Sequence, residues 1–269
     1  MKVSRKKTLG ISTKAARESS PAGMSKELLG FLSKLHDQSI KLLRELRFNK
    51  QLHADGYIVC LYASMIKLCG GIITLVENGR QSSLSSVVRT FLEAYVDFEN
   101  LRENPNYIFN CYARHHENWI KVLSDAQQSN PYLAGIHRHE FRERAALKRH
   151  QSELQRLKKE GFAPLQIATR FGRAGMAEEY RAIYHLECEG THNSLQALMK
   201  RHMELGEDGF ELALYRDLSP DDYAAQLSLT ARLLLDATLR IHARLKSGRE
   251  KDIDPLGYEL AHLVQTGRA

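Results

Sequence analysis

The chain has 269 residues, of which 43% are hydrophobic, so it is long enough to bury a sizeable core and is not a disordered chain. With only 17 Gly and 6 Pro, it lacks the closely spaced turns of an all-β fold, and helix is the default expectation. The formal charge of +7 suits contact with nucleic acid or an anionic surface, without establishing either.

The chain begins with a basic stretch. Its first 17 residues contain six Lys or Arg, no acidic residue and no apolar run, which predicts a flexible basic tail over residues 1–23 rather than a signal peptide. The four cysteines form no C-x-x-C pair, so we expect reduced thiols and exclude a zinc ribbon. A cytoplasmic protein is therefore expected.

Residues 24–248 carry apolar side chains at helical spacing, which predicts a single all-α domain, a multi-helix bundle of about seven or eight helices. Residues 249–269 are expected to form a C-terminal tail. The first long helix is predicted from Ser25 to about Gln51. Later parts of the bundle are a predicted loop over 161–175 and predicted helices over 176–205 and 219–246.

The second helix is predicted within Tyr57 to Val76, an apolar segment of twenty residues with one charge, Lys67, which approaches the length that spans a bilayer. A charge at the centre of a membrane helix costs about 2.5 to 3.5 kcal/mol, and Gly70-Gly71 also interrupts this segment. A large bundle needs a helix that is apolar on all sides. We therefore expect this segment at the centre of the bundle rather than in a membrane.

The third, fourth and fifth helices differ in composition. A serine cap, Ser82 or Ser83, starts the third helix, which stops before Asn104-Pro105, and the fourth runs from Asn106 to about Gln127. The fifth, within residues 137–160, holds eight Lys or Arg, four Glu and three His on a thin apolar stripe. Because its apolar stripe is thin, we expect it to stand partly clear of the core. Its Lys and Arg suit contact with RNA or DNA, but its interleaved acids and the lack of regularly placed aromatics favour contact with solvent or a protein partner.

The common catalytic motifs give no match. The sequence lacks the Gly-rich phosphate loops, the G-x-S-x-G elbow and the H-E-x-x-H zinc motif. E-x-x-H occurs at Glu189 to His192 and Glu259 to His262, but such matches arise by chance among 12 His. The Arg-to-His spacing of helical HEPN ribonucleases, present at Arg47 to His53 and Arg144 to His150, is equally frequent by chance. No metal and no cofactor is therefore predicted.

On the third helix, Arg89, Glu93 and Asp97 share one face, since they follow one another at intervals of four residues. A helical wheel places this face opposite the apolar stripe that includes Val88 and Phe91. From the wheel alone we expect an exposed ion pair worth a fraction of a kcal/mol.

A second group lies in the later helical segment, where Tyr184, Cys188 and His192 follow at intervals of four residues. In a continuous helix, polar residues such as Glu187 face the core and need partners. If Gly190 instead breaks the helix, these groups are exposed. Both alternatives stay open at the level of sequence.

Two stretches together resemble a known family. LSSVVRTFLEAYVDFENLRENP, which contains Arg89 and Glu93, and YHLECEGTHNSL, which begins at Tyr184, are similar to a bacterial all-helical family catalogued as a domain of unknown function, over roughly residues 50–245. The resemblance implies that Arg89, Glu93 and His192 are signature residues that meet inside the bundle, in contradiction to the wheel. Cys188 stands where the family usually has Ser. The likeness to HEPN-like toxins is an analogy of fold.

These observations lead to one hypothesis and one alternative, and whether the chain is an enzyme stays open. The candidate catalytic residues are Arg89, Glu93, Tyr184 and His192. As a polar site they would bind or act on a phosphate-bearing ligand such as RNA, in stress or phage defence. In the alternative, the same residues form a structural network in a non-enzymatic interaction protein, and helix 137–160 docks a partner. Either form is compatible with a homodimer.

Overall fold

The computed structural model describes residues 21–128, 130–133, 140–192, 194–206, 209–215 and 218–266. Within these ranges the chain has ten helices and one small antiparallel sheet, which confirms the all-helical class and exceeds the seven or eight helices expected. Residues 1–20 of the predicted basic tail lie outside the described residues. The first helix begins at Pro21, within the stretch 1–23 that was predicted as tail.

The helices are α1 (Pro21–Glu45), α2 (His53–Glu77), α3 (Leu84–Glu103), α4 (Tyr107–Gln127), α5 (Glu140–Lys159), α6 (Ile167–Arg173), α7 (Ala177–Glu179, Tyr180–Tyr184 and His185–Thr191), α8 (Leu195–His202), α9 (Pro220–Arg244) and α10 (Glu250–Thr266). The middle part of α7 is a π-helical turn. Strands β1 (Met203–Gly206) and β2 (Gly209–Leu212) pair antiparallel, with Met203 opposite Leu212.

The main core lies among α1, α2, α3 and α9. α2 packs along α3, α1 packs along α9, and α9 also contacts α2 and α3. On α1, the buried residues Leu28, Leu32, Leu35 and Leu42 recur every three to seven positions, so one apolar stripe faces this core. The bundle therefore forms because each long helix buries one stripe against the others.

The expectation that α2 is apolar on all sides is wrong. Its exposed residues Cys60, Ser64, Lys67 and Thr74 lie three to seven positions apart and form a solvent-facing stripe. Among the described helices, α2 is the one long and apolar enough to cross a membrane, and its opposite face packs against α1, α3 and α9. The segment that is buried on every side is the second half of α3, since all residues from 95 to 101 are buried.

Two segments differ from the sequence-based expectation. The expected tail at 249–269 contains α10, because Ile253, Leu256 and Leu260 recur at helical spacing and are buried against the bundle. The expected loop at 161–175 contains α6, whose Arg170 and Phe171 are buried. α6, which has only 7 residues, is stabilised by its contacts with α3 rather than by its own length.

The charged helix lies at the edge of the molecule. α5 packs mainly on α4, and the two share a small cluster separate from the main core, with Ala113, Leu154 and Leu157 buried. Residues 137–139 of the expected helix lie outside the described residues. With so few buried side chains, the attachment of α5 depends on α4.

Candidate functional site

The polar face of α3, defined here as Ser85, Arg89, Glu93 and Asp97, is covered by other helices. α7 packs along it and α6 packs at its end near Asp97. The expectation of an exposed face is therefore wrong, since α6 and α7 lie more than sixty residues further along the chain and a wheel of one helix does not include them. Asp97 is buried, whereas the side chains of Arg89 and Glu93 keep 28% and 34% of their surface exposed.

Three of the four candidate residues meet at the centre of this face. The Tyr184 hydroxyl donates to Glu93 Oε1 at 2.7 Å and accepts from Arg89 Nε at 3.2 Å. Arg89 Nε also lies 3.3 Å from Glu93 Oε1. Burial and the hydrogen bond to Glu93 raise the pKa of Tyr184, so its hydroxyl stays protonated and serves as a donor rather than as a base. The catalytic role of these residues stays a prediction.

His192 lies at the end of α7 with an exposed side chain. Its backbone N–H donates to the Cys188 carbonyl at 3.1 Å, and its carbonyl accepts from Arg201 Nη2 at 3.1 Å. Among the described contacts, none joins the His192 ring to Arg89, Glu93 or Tyr184. The backbone of His192 thus holds Arg201, while its ring is left in solvent.

The deep end of the polar face is occupied by Asp97. Its carboxylate accepts from the Tyr107 hydroxyl at 2.5 Å, from Arg114 Nη2 at 2.8 Å and from Arg170 Nε at 2.8 Å. Arg170 Nη2 adds a second contact at 2.7 Å, which makes that pair bidentate. Two guanidinium groups and a phenol therefore satisfy this buried charge completely.

α7 continues through Gly190 but ends at Thr191, and α8 begins at Leu195, so each of the two alternatives left open by the sequence is right in part: Glu187 is buried and His192 is exposed. The single helix predicted over 176–205 is therefore two helices followed by β1. A Cβ atom added at Gly190 would lie 2.4 Å from Ser85 Oγ and 2.7 Å from Ser85 Cβ. Glycine is therefore needed for the close approach of α7 to α3 rather than to break the helix. Continuity places Glu187 on the buried side, where the sequence required it to find partners.

Glu187 finds those partners on two other helices. Gln226 Nε2, on α9, donates to Glu187 Oε2 at 2.8 Å and Oε1 at 3.0 Å, and the Ser85 hydroxyl also hydrogen-bonds to the carboxylate. Burial raises the pKa of Glu187, and the bonds from Gln226 and Ser85 partly oppose that shift. No arginine is bonded to this carboxylate among the described contacts, in contrast to Asp97.

A pocket of about 320 Å³ opens beside Glu187, between α3, α7, α8 and α9. Its wall includes Ser85, Glu187 and Gln226 together with two cationic residues of α8, Lys200 and Arg201. Gln81 also lines it, and its buried amide oxygen has no hydrogen-bond partner among the described residues. Sequence reasoning missed Gln226, although a lone amide within an apolar helix pattern was a usable signal.

The E-x-x-H pairs do not build a metal centre. Within the described residues, one group brings three metal-ligating side chains together, and it consists of His115, His116 and His150. Neither Glu189 nor Glu259 belongs to it. Helical bundles can build di-iron centres from E-x-x-H pairs, but among the described residues Glu189 to His192 and Glu259 to His262 form no such centre.

A family model described as a family of unknown function (DUF5677) matches residues 55–210, more than half of the chain. No curated protein and no solved structure matches the chain significantly. The matched range contains Arg89, Glu93, Tyr184 and His192, and it stops before Gln226. The chain belongs to the DUF5677 family, which confirms the resemblance seen in the sequence.

Proposed function

We propose that this member of the DUF5677 family binds a phosphate-bearing ligand of nucleotide size in the pocket between α3, α7, α8 and α9. The observation that carries the proposal is a buried carboxylate, Glu187, in the same 320 Å³ pocket as Lys200 and Arg201. Small-molecule sites have volumes of about 300 to 1,000 Å³ and combine an apolar lining with a few polar groups. A mononucleotide fits the lower end of that range.

The polar groups suit the two ends of a nucleotide. Lys200 and Arg201 supply the cationic donors that recognise phosphate oxygens. Glu187 and Gln81 supply acceptors for the N–H and O–H groups of a base or sugar. A pocket lined by both signs of charge favours a ligand with an anionic group and neutral donors over a simple anion.

The Arg89, Glu93 and Tyr184 cluster supports this pocket from one helical turn away. Arg89 follows Ser85 by four residues on α3, and Tyr184 precedes Glu187 by three residues on α7. Hydrogen bonds between Tyr184 and α3 hold the two helices in register, so they position the pocket wall. We therefore assign these residues a positioning role in binding.

The pocket is testable with nucleotides and matched nucleosides. Calorimetry with GMP and AMP should show saturable binding, and guanosine and adenosine, which lack phosphate, should bind more weakly. Lys200→Ala or Arg201→Ala should weaken GMP binding by about tenfold, the value of a charge-assisted hydrogen bond. Lys67→Ala removes an exposed charge from α2 and serves as the control. Absence of nucleotide binding, or equal weakening by the control, would contradict the proposal.

The RNA-directed role in stress or phage defence is a narrower form of this proposal, in which the phosphate belongs to an RNA. Its test is the cleavage of total RNA by wild type and by His192→Ala. A loss of cleavage in the variant supports His192 as a catalytic residue, and equal cleavage in both removes His192 from the mechanism.

A non-enzymatic interaction protein is the second candidate, and exposed apolar side chains favour it. On α8 and near the hairpin these are Leu195, Met199, Phe210, Leu212 and Leu214. Exposed apolar groups that lie close together mark interaction surfaces. Light scattering of wild type and Leu212→Lys would reveal self-association through this surface, and a chain that binds no nucleotide but self-associates would favour this candidate.

A further inference from the structure

Three histidines from two helices meet on the side of the molecule formed by α4 and α5. His115 and His116 are consecutive on α4, and His150 lies on α5. One nitrogen from each ring lies within 4.8 Å of the others, and His116 Nδ1 is 2.8 Å from His150 Nδ1. These residues line no part of the nucleotide pocket, so the cluster needs a separate explanation.

We propose that His115, His116 and His150 form a binding site for a divalent transition metal of the Zn²⁺ class. Imidazole nitrogens bind Zn²⁺ at about 2.0 to 2.1 Å, so two of them in a tetrahedral site lie about 3.3 Å apart. The Nδ1 atoms of His116 and His150 share a hydrogen bond at 2.8 Å, so a bound ion would replace this bond and separate the two nitrogens slightly, while the third nitrogen is within side-chain reach. Hard cations such as Mg²⁺ prefer oxygen ligands and are excluded.

The surroundings of the cluster suit a site that keeps one position open. His150 is buried, His116 is half-buried and His115 is exposed, so an ion can enter from the His115 side. The Trp119 ring lies nearly parallel to the His150 ring, with an interplanar angle of 15° and 6.0 Å between the ring centroids. Three histidine ligands with a fourth position for water is a known zinc arrangement.

The local charges partly balance. The Glu153 carboxylate, one turn after His150 on α5, acts favourably on a positive charge at His116, while Arg149 and Arg156 oppose it. Glu153 also lies 3.0 Å from Arg156. A bound cation would therefore compete with Arg156 for Glu153 and would link α5 to α4, where the shared core is small.

The fluorescence of Trp119 provides a test of metal binding at this site. Trp119 is the single tryptophan of the chain, so its fluorescence reports on the ring stacked against His150. Titration of the tag-free, chelator-treated chain with NiCl2 should quench this emission to saturation at one equivalent. Calorimetry with ZnCl2 should give the same stoichiometry, and MgCl2 should change neither signal.

Matched histidine variants test the ligands. His115→Ala alters an exposed side chain and should leave the helical circular dichroism unchanged, yet weaken Zn²⁺ binding by about tenfold or more, since loss of even an outer-sphere partner costs that much. His116→Gln should do the same. His262→Ala, an exposed histidine on α10, should bind Zn²⁺ like wild type.

A thermal readout separates specific from adventitious binding. ZnCl2 should raise the melting temperature of wild type and of His262→Ala, but not that of His115→Ala. Lack of one-to-one Zn²⁺ binding by wild type, or equal weakening by His115→Ala and His262→Ala, would overturn the proposal. Because nucleotide binding uses other helices, either proposal can fail while the other stands.

Discussion

A buried carboxylate lies at each end of the polar face of α3, and the two carboxylates have different surroundings. At the deep end, Asp97 is bonded by Arg114, Arg170 and Tyr107. At the other end, Glu187 of α7 is bonded by the neutral groups of Gln226 and Ser85 and faces a pocket. A buried carboxylate with two guanidinium partners has its charge compensated within the protein, as in a structural ion-pair network. Glu187 has no guanidinium partner among the described contacts, and its side chain lines the pocket.

Asp97→Ala should have the largest effect on stability. It leaves Arg170 and Arg114 without their shared carboxylate, and removal of one partner of a buried ion pair costs about 3 to 5 kcal/mol. Urea unfolding followed by circular dichroism measures the loss, and Glu103→Ala, at an exposed acid of the same helix, is the control. A loss below about 1 kcal/mol would show that the deep end is not structural.

Gly190→Ala should come next, because the added methyl group overlaps Ser85 and forces α7 away from α3. Overpacking of this kind costs about 1 to 3 kcal/mol. Gly172→Ala in α6 has open space around it and should be neutral or stabilising by up to about 1 kcal/mol, so the two changes differ in sign. Adding Ser85→Gly to Gly190→Ala should relieve part of the cost; strict additivity in denaturant unfolding would argue against the contact.

Tyr184→Phe should have a smaller effect, because Arg89 and Glu93 still face each other when the hydroxyl is lost. We expect a loss of about 1 kcal/mol in unfolding free energy, together with weaker nucleotide binding. Tyr180→Phe makes the same change one turn earlier, on a ring 5.6 Å away, and is the control. If Tyr180→Phe weakens nucleotide binding as much as Tyr184→Phe, the positioning role of the cluster is wrong.

Glu187→Gln should have the smallest effect on folding stability at acidic pH. Its effect should change with pH in one direction. Burial raises the pKa of Glu187, so the folded state binds its proton more tightly than the unfolded state. Wild-type stability from this group is therefore full below its unfolded pKa and is lost as pH rises through the raised folded pKa. Urea unfolding between about pH 4 and 8 measures the unfolding free energies of wild type and E187Q. As the pH rises, the unfolding free energy of E187Q should increase relative to that of wild type. A flat difference would mean that Glu187 titrates normally.

The sequence predicts the long helices well, since Asn104-Pro105 and the apolar stripes of α3 and α4 are local signals. It does not predict the burial of Asp97, because the covering helices come from a distant part of the chain. Neither the π-helical turn of α7 nor the tight contact at Gly190 has a local signature. The burial of polar residues depends on tertiary contacts, so the sequence of a single helix does not predict it.

The candidate site shows the same limit. Helical spacing and the family resemblance together indicate Arg89, Glu93 and Tyr184, whereas their contacts follow from the packing of α7 on α3. The role of Gln226 was not predicted from the sequence because its partner, Glu187, lies thirty-nine residues away on another helix. The histidine cluster was not predicted for a similar reason, since His116 and His150 meet only when α4 and α5 pack together.

α9 serves both the core and the pocket, yet it lies beyond residue 210, where the family match ends. A recombinant fragment trimmed to residues 55–210 would lack α1, α9 and α10, and would expose the apolar stripes of α2 and α3 to water. It would also leave Glu187 without Gln226. The segment matched by the family model and the set of helices that share the core are therefore different lengths of chain, and ligand screening on the shorter one would address a pocket with one wall missing.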